Sequence, residues 1–193
     1  MTTRFKFVNI SLEDKMRINI NFVLDKKTEQ KCLNVNKEFC NCCDDAGIDF
    51  SNGCRPHMTL LMGEIEDKDF DLVAKIVNEI KFCSVGKSFS VTNAYAKNNF
   101  IFVDAKDVES FVFDCNEILK KLGNKILPHK YLISNGTSVP HISLCFSETA
   151  DLDEFARKIK PFDCVSLVKV VVSKTGKHGT CLVDECAKNV NCQ

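Results

Sequence analysis

Two short segments of this sequence match each other in kind, and together they narrow its possible architectures more than any other pattern in it. Arg55-Pro56-His57-Met58-Thr59-Leu60 and Val139-Pro140-His141-Ile142-Ser143-Leu144 both run proline, histidine, an apolar residue, a hydroxyl residue and leucine, and the histidines stand 84 positions apart (141 minus 57). After each comes the pattern of an amphipathic helix and then two more strands, so the chain reads as an approximate internal repeat. A repeat of this kind predicts two similar lobes. Their sheets should be antiparallel, because successive strands are joined by short turns.

The rest of the chain fits around these segments. Ile18, Ile20, Phe22 and Leu24 alternate with Arg17, Asn19 and Asn21, the period of a half-buried strand. Cys32, Val35, Phe39, Cys42 and Ala46 then fall three or four apart and predict a helix with those side chains on its buried stripe, followed by a loop from Gly47 to Pro56 that contains Asn52-Gly53. A strand from His57 to Ile65 precedes a second helix marked by Phe70, Val73, Ile76, Val77 and Ile80. Phe89, Val91, Asn93 and Tyr95 alternate as a further strand, paired with Phe100 to Val103 across a turn at 96–99. Val108, Phe111, Cys115, Ile118 and Leu122 mark a third helix between Asp107 and Gly123, and a loop over 125–139 leads into the strand His141 to Phe146. A short helix around Leu152, Phe155 and Ile159, ended by Pro161, precedes two last strands, 165–173 and 180–184.

Composition excludes several classes. With 26 basic and 26 acidic residues the net charge is zero, so no overall field holds a long polyanion; a short nucleotide in a local pocket is the compatible partner, and no long nucleic acid is expected. The apolar runs are too short to span a bilayer, so no membrane partner is expected. Twelve cysteines suggest a disulfide scaffold, but in 193 residues of 45% hydrophobic composition, with no apolar N-terminal stretch resembling a signal peptide, they read as reduced thiols of a cytoplasmic protein. Cys40 and Cys43 form one Cys-x-x-Cys spacing with no second pair, so no structural zinc, and no other metal or cofactor, is expected.

The motifs themselves carry chemistry. Strand side chains alternate, so His57 and Thr59 share one face while Met58, Leu60 and Met62 point to the other, and His141 and Ser143 likewise oppose Ile142, Leu144 and Phe146. One such segment alone is ordinarily a hydrogen-bonded core histidine; two at equivalent places in a repeat point to a shared site. A neutral imidazole deprotonates an attacking oxygen, a protonated one donates to a leaving oxygen, and the hydroxyls of Thr59 and Ser143 donate to the non-bridging oxygens of a phosphate. Which histidine does which is open. His129 follows a proline too but lacks the apolar-hydroxyl-leucine continuation and reads as a loop residue, and His178, between Gly176 and Gly179, as an exposed turn. Lys130 and Tyr131 are placed to fold over a cleft and stack on a base, against the alternative of a solvated loop. Arg55 either reaches a phosphate or is solvated, and Tyr95 and Phe100 either stack on a base or are core.

The doubled His-x-Thr/Ser motif, its spacing and the repeated strand-helix pattern resemble the 2H phosphoesterase superfamily, also called LigT-like, over roughly Arg17 to Asp184. The resemblance implies an α+β, bilobal fold, two antiparallel sheets flanked by helices around a central cleft. Residues 1–193 would then be a single domain of two pseudo-repeat lobes. It also implies a metal-independent phosphodiesterase with His57, Thr59, His141 and Ser143 as its catalytic quartet, acting on 2′,3′-cyclic phosphates, 2′–5′ oligoadenylates, other RNA-derived diesters or cyclic dinucleotides. One departure bears on substrate. Bacterial RNA 2′,3′-cyclic phosphodiesterases of the superfamily commonly have an arginine five residues after the second histidine, where this chain has Phe146. With zero net charge, this favours a small nucleotide messenger, a cGAMP-like cyclic dinucleotide or a 2′–5′ oligoadenylate. The alternatives are RNA-end processing and a catalytically silent nucleotide-binding module.

Overall fold

The computed structural model describes residues 15–51 and 53–182; Asn52 of the predicted loop and positions 183–184 of the last predicted strand lie outside the described residues. The chain runs β1 (Lys15–Leu24), α1 (Lys26–Cys40), β2 (Cys54–Arg55), β3 (His57–Glu66), α2 (Phe70–Asn78), β4 (Ser88–Phe89), β5 (Tyr95–Lys97), β6 (Phe100–Asp104), α3 (Glu109–Leu122), β7 (Leu127–Pro128), β8 (His141–Phe146), α4 (Leu152–Lys158), β9 (Val165–Lys174) and β10 (Cys181–Leu182). The strands order as β4-β9-β1-β3-β8-β6-β5, with β7 on β3, and β10 pairs β2 separately; every pairing is antiparallel. Helices cover one face of this sheet, burying Phe22, Met58, Ile142, Phe39 and Phe111 between them. No helix among the described residues is long and apolar enough to cross a membrane.

The motif strands sit at the centre and join at a single bridge, Met58 to Ile142. Outward from that bridge the first three strands of each half correspond, β3-β1-β9 against β8-β6-β5, and β4 extends one half beyond β9. The correspondence extends to an irregularity the alternating pattern concealed. Between β1 and β3 the register moves from Ile20–Leu61 to Asn21–Thr59, and between β6 and β8 from Ile101–Cys145 to Phe102–Ser143. Leu60 and Leu144, the leucines that end the two motifs, are therefore the extra residues of two β-bulges. Each bulge reverses the phase of the strand beyond it. Met62 consequently faces the cleft rather than the core, a correction to the simple alternation.

A bulge leaves a carbonyl without a ladder partner, and the chain supplies one from a helix. Asn36, 1% exposed, donates through Nδ2 to the carbonyls of Leu144 and Ile48, both at 2.9 Å, and accepts from Phe50 N through Oδ1. The buried stripe of α1 is thus Thr28, Cys32, Asn36 and Phe39; Val35 is only partly buried, while Cys42 and Ala46 lie beyond the helix end and Cys42 is exposed. Asp25 caps this helix, accepting from Lys27 N and Thr28 N. Burial pushes the Cys32 and Cys181 thiols up to about 12, so both behave as small apolar groups.

The predicted strand through Phe89, Val91, Asn93 and Tyr95 is interrupted, giving β4, an isolated bridge from Val91 to Ala105, and β5. Asn98 and Asn99, both with positive φ, form the two-residue turn from β5 to β6, the conformation a twisted hairpin requires. His178 is half-buried rather than exposed: its ring stacks on Phe146 with centroids 3.9 Å apart. Phe146, five residues after His141, is likewise turned by the second bulge to the His141 side, the opposite of what strict alternation predicts, and is only 8% exposed because the rings of His178 and Phe100 pack against it.

Candidate active site

The bridge at Met58 and Ile142 decides the arrangement of the site. Antiparallel continuation from that pair sets Thr59 across from His141 and His57 across from Ser143, and with Met58 and Ile142 both buried in the core, all four side chains rise from the opposite face. The two imidazoles are diagonal neighbours, with Cβ atoms about 7 Å apart by sheet geometry, a gap of phosphate size.

Both rings are oriented the same way. His57 Nδ1 lies 3.0 Å from the carbonyl oxygen of Arg55 and His141 Nδ1 lies 2.8 Å from that of Val139, in each case the residue before the proline. A carbonyl only accepts, so Nδ1 carries the hydrogen and donates in both, and Nε2 is the nitrogen left for chemistry. Proline at the intervening position keeps the chain extended and presents that carbonyl.

The surroundings of the two rings differ. His57 is half-buried, and behind it stands Asn19, fully buried, whose Nδ2 lies 3.3 Å from His57 Nε2 and donates to Thr59 Oγ1 at 2.9 Å. Asn21, also fully buried, donates to the Asn19 carbonyl and to Ser173 Oγ. The same register on the other side of the bridge puts Phe100 and Phe102 where β1 has Asn19 and Asn21, and Phe102 packs its ring against His141 with centroids 4.7 Å apart. Neither asparagine stood out in the sequence, where both read as the polar side of an alternating strand. Two asparagines two positions apart in a strand were nonetheless a signal, because asparagine is depleted from strands.

Thr59, Met62, Tyr95, Phe102, Tyr131 and His141 line a cleft of about 330 Å³. Its wall is aromatic, and Tyr95 donates its hydroxyl to Asp104, the residue paired with His141 across β6 and β8. His57 and Ser143 lie beside this cavity rather than in its wall. Tyr131 borders it and is 56% exposed, whereas Lys130 borders an adjoining cavity of about 630 Å³ and places its ammonium 4.9 Å from the Tyr131 ring centre. His129 borders both. Arg55 faces neither: it pairs with Glu29 in the first turn of α1 at 3.3 Å. Phe100 stacks on Phe102 outside the cavity wall. Among the described residues, no three His, Cys, Asp or Glu side chains gather as ligands for a metal ion.

Burial holds the His57 imidazole down at about 4, against an ordinary 6.5; the bond to the Arg55 carbonyl opposes this, while charge on His141 and Arg55 adds to it. The unfolded chain therefore takes up a proton first as the pH falls. Stability contributed by neutral His57 is complete above pH 6.5 and declines towards pH 4, by roughly 2 kcal/mol once the ring's partial contact with water is allowed for. Urea melts of the wild type and His57→Gln across this window should show the steeper loss in the wild type; equal slopes would contradict a depressed histidine.

No protein-family model matches the sequence, and a search of curated proteins finds no match. Solved structures do match, and they define the class: the chain has the LigT-like α+β fold. It superimposes on E. coli LigT complexed with phosphate at a TM-score of 0.55 and 12% identity, over 86% of this chain and 91% of that one. The PDE domain of MHV ns2 matches at 0.54 and 14% identity, over 84% and 99%, and a phosphoesterase at 0.51 and 13%, over 88% and 94%.

Proposed function

We propose that this protein is a metal-independent phosphodiesterase of the 2H phosphoesterase superfamily, hydrolysing a 2′-linked or cyclic phosphodiester in a small nucleotide, a cGAMP-like cyclic dinucleotide or a 2′–5′ oligoadenylate. The observation that carries this reading is the β3–β8 bridge, which sets two imidazoles and two hydroxyls on one face around a phosphate-sized gap. His57, kept neutral by burial, takes the proton of the attacking oxygen through Nε2, whose lone pair leaves its long 3.3 Å contact with Asn19 Nδ2 to do so. The new P–O bond forms in line as the bond to the leaving oxygen breaks, and His141 returns a proton to that oxygen. Thr59 and Ser143 donate to the non-bridging oxygens as their charge rises.

A compact substrate is supported by the zero net charge, by a cleft of nucleotide scale, and by Tyr95, Phe102 and Tyr131, whose rings suit base stacking. Lys130, at the neighbouring cavity, is placed to meet a second phosphate or base rather than the reacting one. Arg55, engaged by Glu29, orders the base of α1 and holds the carbonyl that orients His57. Among the structural relatives, LigT has been solved complexed with phosphate and with ATP.

The test is a panel of cyclic dinucleotides, 2′–5′ and 3′–5′ oligonucleotides and RNA ends bearing 2′,3′-cyclic phosphate, assayed with a chelator present. Turnover of the cyclic dinucleotides or 2′–5′ oligonucleotides is expected, unaffected by chelation. Preferred turnover of RNA ends would shift the reading to end processing, loss of activity on chelation would refute the metal-free step, and silence on all substrates would leave a nucleotide-binding module.

A further inference from the structure

The Asn19 side chain is wholly enclosed, yet it satisfies only one end of its amide. Its Nδ2 faces the motif residues, 2.9 Å from Thr59 Oγ1 and 3.3 Å from His57 Nε2, while its Oδ1 is buried with no hydrogen-bond partner. A buried acceptor without a partner is disfavoured, so the arrangement persists because of what the other end does. A half-turn of the amide exchanges the two ends: the oxygen would then face His57 and Thr59, and the nitrogen would lie at the unpartnered position. The back of the amide penalises both orientations. The front therefore decides between them, and the front contains an imidazole whose proton count changes.

We infer that Asn19 is a positioning residue whose amide orientation is tied to the proton on His57, nitrogen forward when the imidazole is neutral and oxygen forward when it is protonated. With nitrogen forward, the amide donates to the Nε2 lone pair and to Thr59, whose own hydroxyl hydrogen is then directed away from Asn19, towards the gap between the imidazoles. With oxygen forward, the amide accepts from Nε2–H and from the Thr59 hydroxyl, drawing that hydrogen out of the gap. One side chain thus couples the state of the proposed base to the donor offered to the phosphate. Its catalytic meaning rests on the phosphodiesterase reading, but the coupling itself is a property of the protein without substrate.

The partner half lacks the device. Phe100 and Phe102 take the positions of Asn19 and Asn21, so His141 meets an aromatic ring instead of an amide, and two motifs alike in sequence become chemically unlike. The charged and titratable groups around His57 are His141 from β8 and Arg55 from β2, the latter neutralised by Glu29 of α1; β1 presents only the two asparagines.

The experiment is an NMR pH titration of the unliganded full chain, following the His57 ring nitrogens and the Asn19 side-chain amide. The amide signals are expected to move with the midpoint of His57. In Asn19→Asp, whose forward oxygen accepts only, the His57 midpoint should rise by at least one pH unit, about tenfold in proton affinity, and the acid limb of any activity profile should move with it. An Asn19 amide that does not respond while His57 titrates would overturn the inference, as would an unchanged midpoint in folded Asn19→Asp. Should that variant not fold, the wild-type titration decides alone. Failure of the enzyme reading would appear separately, as absent turnover by the wild type.

Discussion

His57→Ala and His141→Ala are each expected to reduce turnover of the preferred diester by roughly 10²–10⁴-fold while the protein stays folded. The expectation follows from the role proposed for each ring. Neither imidazole has its Nε2 bonded to a charged partner, both donate through Nδ1 to a local carbonyl, and removing either leaves that carbonyl next to the cleft, where water replaces the bond. Since proton removal and proton donation belong to one displacement, the two losses should not multiply, and the double variant should be little worse than the worse single. Thr59→Ala and Ser143→Ala remove one donor each to a charge that grows in the transition state and should cost about 10²-fold. Turnover under single-turnover conditions, with a thermal melt of every variant, checks the set. Wild-type-like activity in a folded His57→Ala or His141→Ala would remove that residue from the mechanism.

The second large effect concerns stability and lies at a residue with no part in the chemistry. Asn36→Leu is expected to destabilise the fold by about 3 kcal/mol, because it strands the carbonyl of Leu144 and the amide of Phe50 in a dry interior, each a group whose unpaired burial costs about 1–3 kcal/mol, and leaves the Ile48 carbonyl only the weak Cys40 thiol donor. On a chain of this size that corresponds to a fall in melting temperature of roughly 10 °C. Leu144 is the bulge residue directly after Ser143, so the loss should also loosen the second motif. Turnover measured well below the melt should therefore fall while the pH profile keeps its shape. A melting temperature equal to the wild type's would show that water satisfies these groups and that the bulge does not depend on α1.

These two predictions differ in how far the sequence supports them. That His57 and Thr59 share one face, as do His141 and Ser143, was legible, because proline, histidine and the alternation after them are local and occur twice. The helices were legible for the same reason, although α1 ends before Cys42 and buries Asn36 in place of Val35: a cysteine and a valine one helical step apart offer the same apolar spacing as the true stripe, and only contact with β8 selects between them. The bulges at Leu60 and Leu144 were not legible. A leucine after Thr59 or Ser143 suits strict alternation equally well, and the extra residue shows only against a partner strand, which is why alternation alone points Met62 and Phe146 to the wrong face. Lys130, Tyr131 and Arg55 stand out in the sequence by their chemistry alone, and the loop and the short strand that carry them divide them among a cleft, its neighbour and an ion pair.

Amino-acid order alone determined which side chains of each motif rise together from one face, since a strand's two-residue period belongs to the backbone itself. Tertiary structure alone decided that the two motif strands touch at Met58 and Ile142, and that an asparagine stands behind one imidazole and a phenylalanine behind the other. Those contacts join residues far apart along the chain, and their register is selected by the packing of the whole core, about which no short stretch of sequence contains information.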